Sequence, residues 1–170
     1  MGRSNRSSQS WPSAPAPAAL PRRRPKLVAA REGGARTKAR AAEPARILVV
    51  EDDFLVAMQL EIALAEAGYA IAGIAATAEE AVALARTAHP VLAVMDIRLA
   101  GERDGIDAAL DLFRELGLRS IFATAHVDQD VRKRAKPAAP LGWLQKPYTM
   151  TSLVQIVRQA LEELGGGKKN

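Results

Sequence analysis

Short apolar runs and longer stretches of helical periodicity alternate along residues 46–164. ILVV, residues 47–50, is a β-rich run closed by three carboxylates, and Leu55, Met58 and Ile62 then recur at helical spacing up to Gly68. YAIAGIA, residues 69–75, predicts a second strand. Thr77 with Glu80 has the spacing of a capping box opening a helix through Ala88, with Pro90 just past its end. VLAVM, residues 91–95, predicts a third, buried strand. A helix over about 105–116 carries Ile106, Leu110 and Phe113 on one face before Gly117, and RSIFAT, residues 119–124, supplies a fourth strand. A polar helix over 128–135 precedes the breakers Pro137 and Pro140. LGWL, residues 141–144, gives a short fifth strand, and Leu153, Ile156, Ala160 and Leu164 line a final helix that ends in GGG.

Five strands alternating with five helices describe an α/β fold. The strands read as continuous apolar runs rather than alternating ones, which requires a parallel sheet covered by helices on both faces, hence doubly wound. In such sheets ligands collect beyond the carboxyl ends of the strands, so chemistry belongs there.

Composition divides the chain. Residues 1–45 hold ten Lys/Arg against two Glu, whereas residues 46–170 hold fourteen Lys/Arg against seventeen Asp/Glu. The N-terminal part runs Ser, Pro, Ala and Arg together (WPSAPAPAALPRRRPK) with too few large apolar groups to offset the entropy of ordering. The expected organisation is therefore a disordered basic tail over 1–45, one folded domain over 46–164 and a flexible tail over 165–170. The basic pI of about 9.9 is a property of the tail, and without aromatic interleaving or helical pattern it argues at most for nonspecific nucleic-acid contact. The absence of cysteine excludes disulfides, thiolate nucleophiles and Cys-based metal sites. Neither a span of about 18 apolar residues nor a signal-peptide core occurs, so a cytoplasmic protein outside the membrane is expected.

The strand ends carry the chemistry. Glu51, Asp52 and Asp53 follow the first strand, Asp96 the third, Thr124 closes the fourth and Lys146 follows the fifth. Taken singly, Asp52 or Asp53 reads equally well as a helix cap, Asp96 as a turn residue and Lys146 as a solvated charge. Together they are informative. Carboxylates drawn together repel unless a cation joins them, and an oxygen-only set without His or Cys suits Mg²⁺, which is usually held by one or two carboxylates, waters and a substrate phosphate. A carboxylate can attack phosphorus to form an acyl phosphate, with a lysine neutralising the phosphoryl oxygens and a hydroxyl donating to one of them. Asp96, Lys146 and Thr124 fit those three roles.

ILVVEDD, VMDIRL, FATA and GWLQKP together resemble the receiver domains of bacterial response regulators, over about residues 45–164. The resemblance implies the flavodoxin-like sheet with strand order 2-1-3-4-5. It further implies Glu51 and Asp52 as the acidic pair, Asp96 as the phosphoacceptor, Thr124 as the switch hydroxyl and Lys146 as the phosphate-contacting lysine. Mg²⁺ would bind through Glu51, Asp52, Asp96 and the backbone carbonyl of Arg98, and the Lys146–Pro147 peptide would be cis. Four departures from the family pattern stand out. Glu51 replaces a frequent Asp, the loop IRLAGERDG lacks the usual Met-Pro and is one residue longer, Trp143 takes the place of a switch Tyr or Phe, and Val127 follows FATAH where certain stand-alone receivers carry an aromatic.

Only twenty-four residues follow Lys146, so the expectation is a stand-alone receiver without a DNA-binding output domain. Its partners would be a sensor histidine kinase or histidine phosphotransfer protein, with output by protein contact or onward phosphotransfer. The basic cluster Arg132, Lys133, Arg134 and Lys136 lies beside the surface such domains use for partners. The chain would not be an enzyme beyond promoting its own phosphorylation and dephosphorylation. A phosphatase of the haloacid-dehalogenase kind also uses Asp, Thr, Lys and Mg²⁺, but there the nucleophile follows the first strand in a D-x-D pattern, the reverse of the order found here.

Overall fold

A computed structural model describes residues 43–125 and 127–166. The expected N-terminal tail therefore lies, for residues 1–42, outside the described residues, as does His126 of the FATAH motif. Among the described residues the order is β1 (Arg46–Val50), α1 (Phe54–Glu66), β2 (Ala70–Ala75), α2 (Ala78–Ala88), β3 (Leu92–Met95), α3 (Gly105–Leu116), β4 (Ser120–Thr124), α4 (Gln129–Ala135), a single 3-10 turn (Lys136–Ala138), β5 (Gly142–Gln145) and α5 (Met150–Gly166). All strand pairs are parallel and the sheet order is β2-β1-β3-β4-β5, as the resemblance implied.

Burial along the strands explains why that order is stable. β3 and β4 are buried at every position and β1 after its first residue, whereas the edge strands β2 and β5 are only half-covered. Side chains alternate between two cores, as the two-residue period of a strand requires. Ile47, Val49, Leu92, Val94, Ile121 and Ala123 pack with Leu60 and Leu64 of α1 and Leu153 and Val157 of α5. Leu48, Val50, Ala93, Met95 and Phe122 face Val82, Ile106 and Leu112 of α2 and α3. Each fully buried Leu or Ile contributes about 1.5–3 kcal/mol relative to exposure, so the sheet centre holds most of the driving force.

Three local features differ from expectation. The apolar stripe Leu55, Met58 and Ile62 belongs to α1 but points outward, and Ala57, Leu60 and Leu64 make the buried face. Two apolar stripes share this helix, so periodicity located the helix without fixing which side faces the sheet. At α2, Thr77 accepts from the Glu80 N–H, but the Glu80 carboxylate accepts from the Ala76 N–H rather than from Thr77. The reciprocal capping box occurs instead at α3, between Asp104 and Asp107. Finally, α5 continues through Gly166, so Gly165 and Gly166 are helical rather than part of a tail.

Candidate functional site

Parallel pairing brings the strand ends to one crevice. β1 pairs with β3 so that Val50 stands beside Met95, which places Glu51 and Asp96 side by side, one residue beyond each strand. The Asp96 N–H donates to the Val50 carbonyl at 2.9 Å, and the Lys146 N–H donates to the Thr124 carbonyl at 2.9 Å. The same ladder that builds the sheet thus sets the position of every site residue except those of the following loops.

The two adjacent acids after Glu51 have separate tasks. Asp53 is the N-cap of α1, its carboxylate accepting from the N–H groups of Leu55 and Val56 at 2.8 and 3.2 Å. Asp52 is exposed and turns toward the crevice, where one oxygen each from Glu51, Asp52 and Asp96 lie within 4.8 Å of one another. An octahedral Mg²⁺ with ligands at about 2.0–2.1 Å holds neighbouring oxygens about 2.9 Å and opposite ones about 4.2 Å apart, so these three oxygens must draw together to share an ion. The donor set is all oxygen, and the residues present fit that metal.

Lys146 bridges the two buried carboxylates. Its Nζ stands 2.8 Å from Glu51 Oε2 and 2.6 Å from Asp96 Oδ2, and Glu51 is only 4% and Asp96 8% exposed. Burial pushes the Glu51 carboxyl above its ordinary pKa, with the Asp96 charge adding and Lys146 only partly opposing. Burial alone would lower Lys146, but its hydrogen bonds to Asp96 and Glu51 outweigh that and hold it above the ordinary lysine value. Both shifts favour protons, at Glu51 through burial and at Lys146 through its two carboxylate partners. The surplus of carboxylates over ammonium also attracts a cation.

The other predicted residues divide. Thr124 closes β4 and is buried at the crevice. The Arg98 side chain is exposed, and its backbone N–H donates to Asp96 Oδ1 at 3.3 Å. Trp143 is half-buried away from the carboxylates, its ring stacked on Phe122 with centroids 4.8 Å apart and the Arg132 guanidinium 5.1 Å above it. Phe122 is two residues before Thr124 and so on the same face of β4, which links Trp143 to the crevice through that strand. The Lys146–Pro147 peptide is cis, as expected.

Two neighbours were not read from the sequence. Tyr148 is half-buried, its hydroxyl pushed up chiefly by burial and influenced by the charges of Lys146, Glu51 and Asp96. Gly105 opens α3 so near the acceptor that a Cβ there would lie 1.9 Å from the Asp96 carbonyl oxygen. The glycine was visible within RDG, but nothing local to the sequence places it against Asp96.

Residues 47–158 match the response regulator receiver domain family. The chain is 37% identical over 128 residues to the transcriptional regulatory protein PdtaR of Mycobacterium tuberculosis, covering 75% of this chain and 62% of the relative. It is 34% identical over 117 residues to the phyllosphere-induced regulator PhyR of Methylorubrum extorquens, covering 68% of this chain and 43% of that protein. In both cases the match spans less than two thirds of the relative. Among solved structures, a CheY-like response regulator receiver domain protein from Methanospirillum hungatei superposes with a TM-score of 0.68 at 25% identity, covering 73% of this chain and 98% of the other. No described helix is long and apolar enough to cross a membrane.

Proposed function

This chain belongs to the response regulator receiver domain family, and from that premise we propose that it accepts a phosphoryl group on Asp96 from a phosphohistidine donor in a Mg²⁺-dependent reaction. The observation that carries this reading is the Lys146 ammonium seated on Glu51 and Asp96, with Asp52 close enough for the three carboxylates to share one ion. Glu51, Asp52, Asp96 and the Arg98 carbonyl would hold the metal, with Glu51, longer by a methylene than Asp, suited to a water-mediated contact. When bound, Mg²⁺ supplies positive charge to the phosphoryl oxygens.

The protein's own groups do the rest. An Asp96 carboxylate oxygen forms the new O–P bond while the P–N bond to the donor imidazole breaks, and the imidazole leaves with the electron pair and takes up a proton. Lys146 keeps its proton throughout, since its pKa is held up, and so neutralises charge without acting as an acid. Thr124, buried at the end of β4, would donate its hydroxyl to a phosphoryl oxygen. The chain thereby acts as a signalling acceptor, with a sensor histidine kinase or histidine phosphotransfer protein as donor and output by protein contact or onward transfer.

The surface beside the crevice supports a protein donor. α1 begins two residues after Asp52, and Phe54, Leu55, Met58 and Ile62 expose 76%, 62%, 39% and 50% of their surface along its outer side. Apolar side chains grouped so close to a reactive centre suit a partner that must bring its own histidine against Asp96. Two donors test both parts of the reading. Acetyl phosphate with Mg²⁺ should add one phosphoryl mass to the intact protein, and EDTA should prevent it. Met58→Glu with Ile62→Glu should leave that reaction unchanged but slow transfer from a phosphohistidine protein more than tenfold. No gain of mass from acetyl phosphate would overturn the acceptor reading, and equal protein-to-protein transfer in the variant would overturn the role of α1.

A further inference from the structure

Helix α4 has a small core face and is flanked by cations that reach its neighbours. Among its seven residues only Ala135 is fully buried, with Val131 half-covered. On one flank Arg132 lies over the Trp143 ring. On the other, Arg134 Nη2 donates to Asp104 Oδ2 at 2.8 Å and stands 3.8 Å from Asp107 Oδ1. Those two acids are the capping box of α3, Asp104 Oδ1 accepting from the N–H groups of Ile106 and Asp107 at 3.0 Å each. Asp104 also ends the loop that follows the acceptor. The next residue, Gly105, donates its N–H to the Ile97 carbonyl at 2.8 Å and packs directly on the Asp96 backbone. A short path of contacts therefore runs from Asp96 through Gly105 and Asp104 to Arg134.

We propose that the Arg134–Asp104 ion pair is a latch holding α4 in its unphosphorylated position, so that Arg134 acts as a positioning residue setting how readily the acceptor site fills. This rests on the acceptor role given above to Asp96. The latch itself sits on the loop after β3 and the start of α3, apart from β4 and β5, so it opposes a movement that begins at Thr124 rather than carrying it. An acyl phosphate adds charge and acceptor oxygens beside Thr124, drawing in the segment that leads directly into α4. An ion pair that keeps α4 against α3 opposes that movement, and its loss shifts the resting equilibrium toward the filled state. Arg134 is 52% and Asp104 29% exposed, so the pair is weak and the expected effect is severalfold rather than many orders.

Beryllofluoride with Mg²⁺, a non-covalent mimic of an acyl phosphate, supplies the test. Its half-saturation is followed by ¹⁹F NMR of bound fluoride in the full-length chain. Arg134→Gln should lower the half-saturating concentration about threefold, Arg134→Glu, facing two acids, at least as much, and Arg134→Lys should stay near wild type. Hydrogen exchange of the α4 amides should quicken about threefold in Arg134→Gln, while exchange in β1 and β3 is unchanged. A purely structural role would lower the melting temperature and leave the half-saturation where it was. An unchanged or raised half-saturation in Arg134→Gln, with wild type binding normally, overturns the latch alone. Failure of the wild-type protein to bind beryllofluoride overturns the latch together with the acceptor reading beneath it.

Discussion

Gly105→Ala is the substitution whose consequence the structure fixes most tightly. The new methyl would stand 1.9 Å from the Asp96 carbonyl oxygen, 2.9 Å from its carbonyl carbon and 3.0 Å from Met95 Cγ. Ordinary contact is at least 3.4 Å, and the obstructing atoms are mostly backbone at the end of a central strand. They cannot rotate away, so α3 and Asp96 must separate by more than 1 Å. Overpacking of this kind costs about 1–3 kcal/mol, offset by at most about 1 kcal/mol because alanine favours the helix more than glycine. A net loss of about 1–2 kcal/mol lowers the melting temperature by roughly 3–8 °C in a domain of this size. The atom displaced belongs to the acceptor itself, so phosphorylation by acetyl phosphate should slow by about 10- to 100-fold. Gly165→Ala is the control, since a Cβ there meets nothing within 4 Å. Thermal unfolding by circular dichroism and the rate of mass gain read the two effects. A Gly105→Ala protein that melts within about 1 °C of wild type would refute the claimed contact between α3 and the acceptor backbone.

Three further outcomes follow from the site. Lys146→Met leaves Glu51 and Asp96 buried without their counter-cation and should cost about 1–3 kcal/mol in urea unfolding at neutral pH; because the folded-state pKa of Lys146 is raised, its contribution is full below the ordinary lysine pKa and is lost as pH rises through the folded value, so wild type and variant should converge in strongly alkaline solution. A gap that widens there would contradict the shift. Mg²⁺ should raise the melting temperature of wild type by binding the folded state but not that of Asp52→Ala, and equal stabilisation of both would place the metal elsewhere. With Trp11, the chain's other tryptophan, replaced by Phe, beryllofluoride with Mg²⁺ should change the fluorescence of Trp143, and Thr124→Ala should weaken that response without preventing phosphorylation; a silent Trp143 would show that the signal does not pass through β5.

The parts of the fold that the sequence revealed are those governed by local periodicity. Central strands such as ILVV and LAVM are unbroken apolar runs, and the turns beside them carry Gly, Pro or capping residues, so their order along the chain was legible. The site followed from the fold, because in a parallel sheet Glu51, Asp96, Thr124 and Lys146 share an end by topology alone. What stayed hidden depends on contacts between distant segments. Leu55 and Leu60 are equally apolar, and only packing against β1 and β2 makes one exposed and the other buried. Asp52 and Asp53 are identical in type, and only the exact start of α1 assigns the second to the cap and frees the first for the crevice. The bond from Arg134 to Asp104 joins residues thirty positions apart, so no local pattern could announce it.

The central claim is that Asp96, and no other residue, receives the phosphoryl group. An aspartyl phosphate is reduced by borohydride to homoserine, which marks the residue permanently. Protein incubated with acetyl phosphate and Mg²⁺, reduced and digested should show homoserine at position 96 in the peptide spanning VMDIRL, and the Asp96→Asn protein should show none anywhere. Homoserine at position 52 or 53, or a phosphoryl mass that persists in Asp96→Asn, would contradict the assignment.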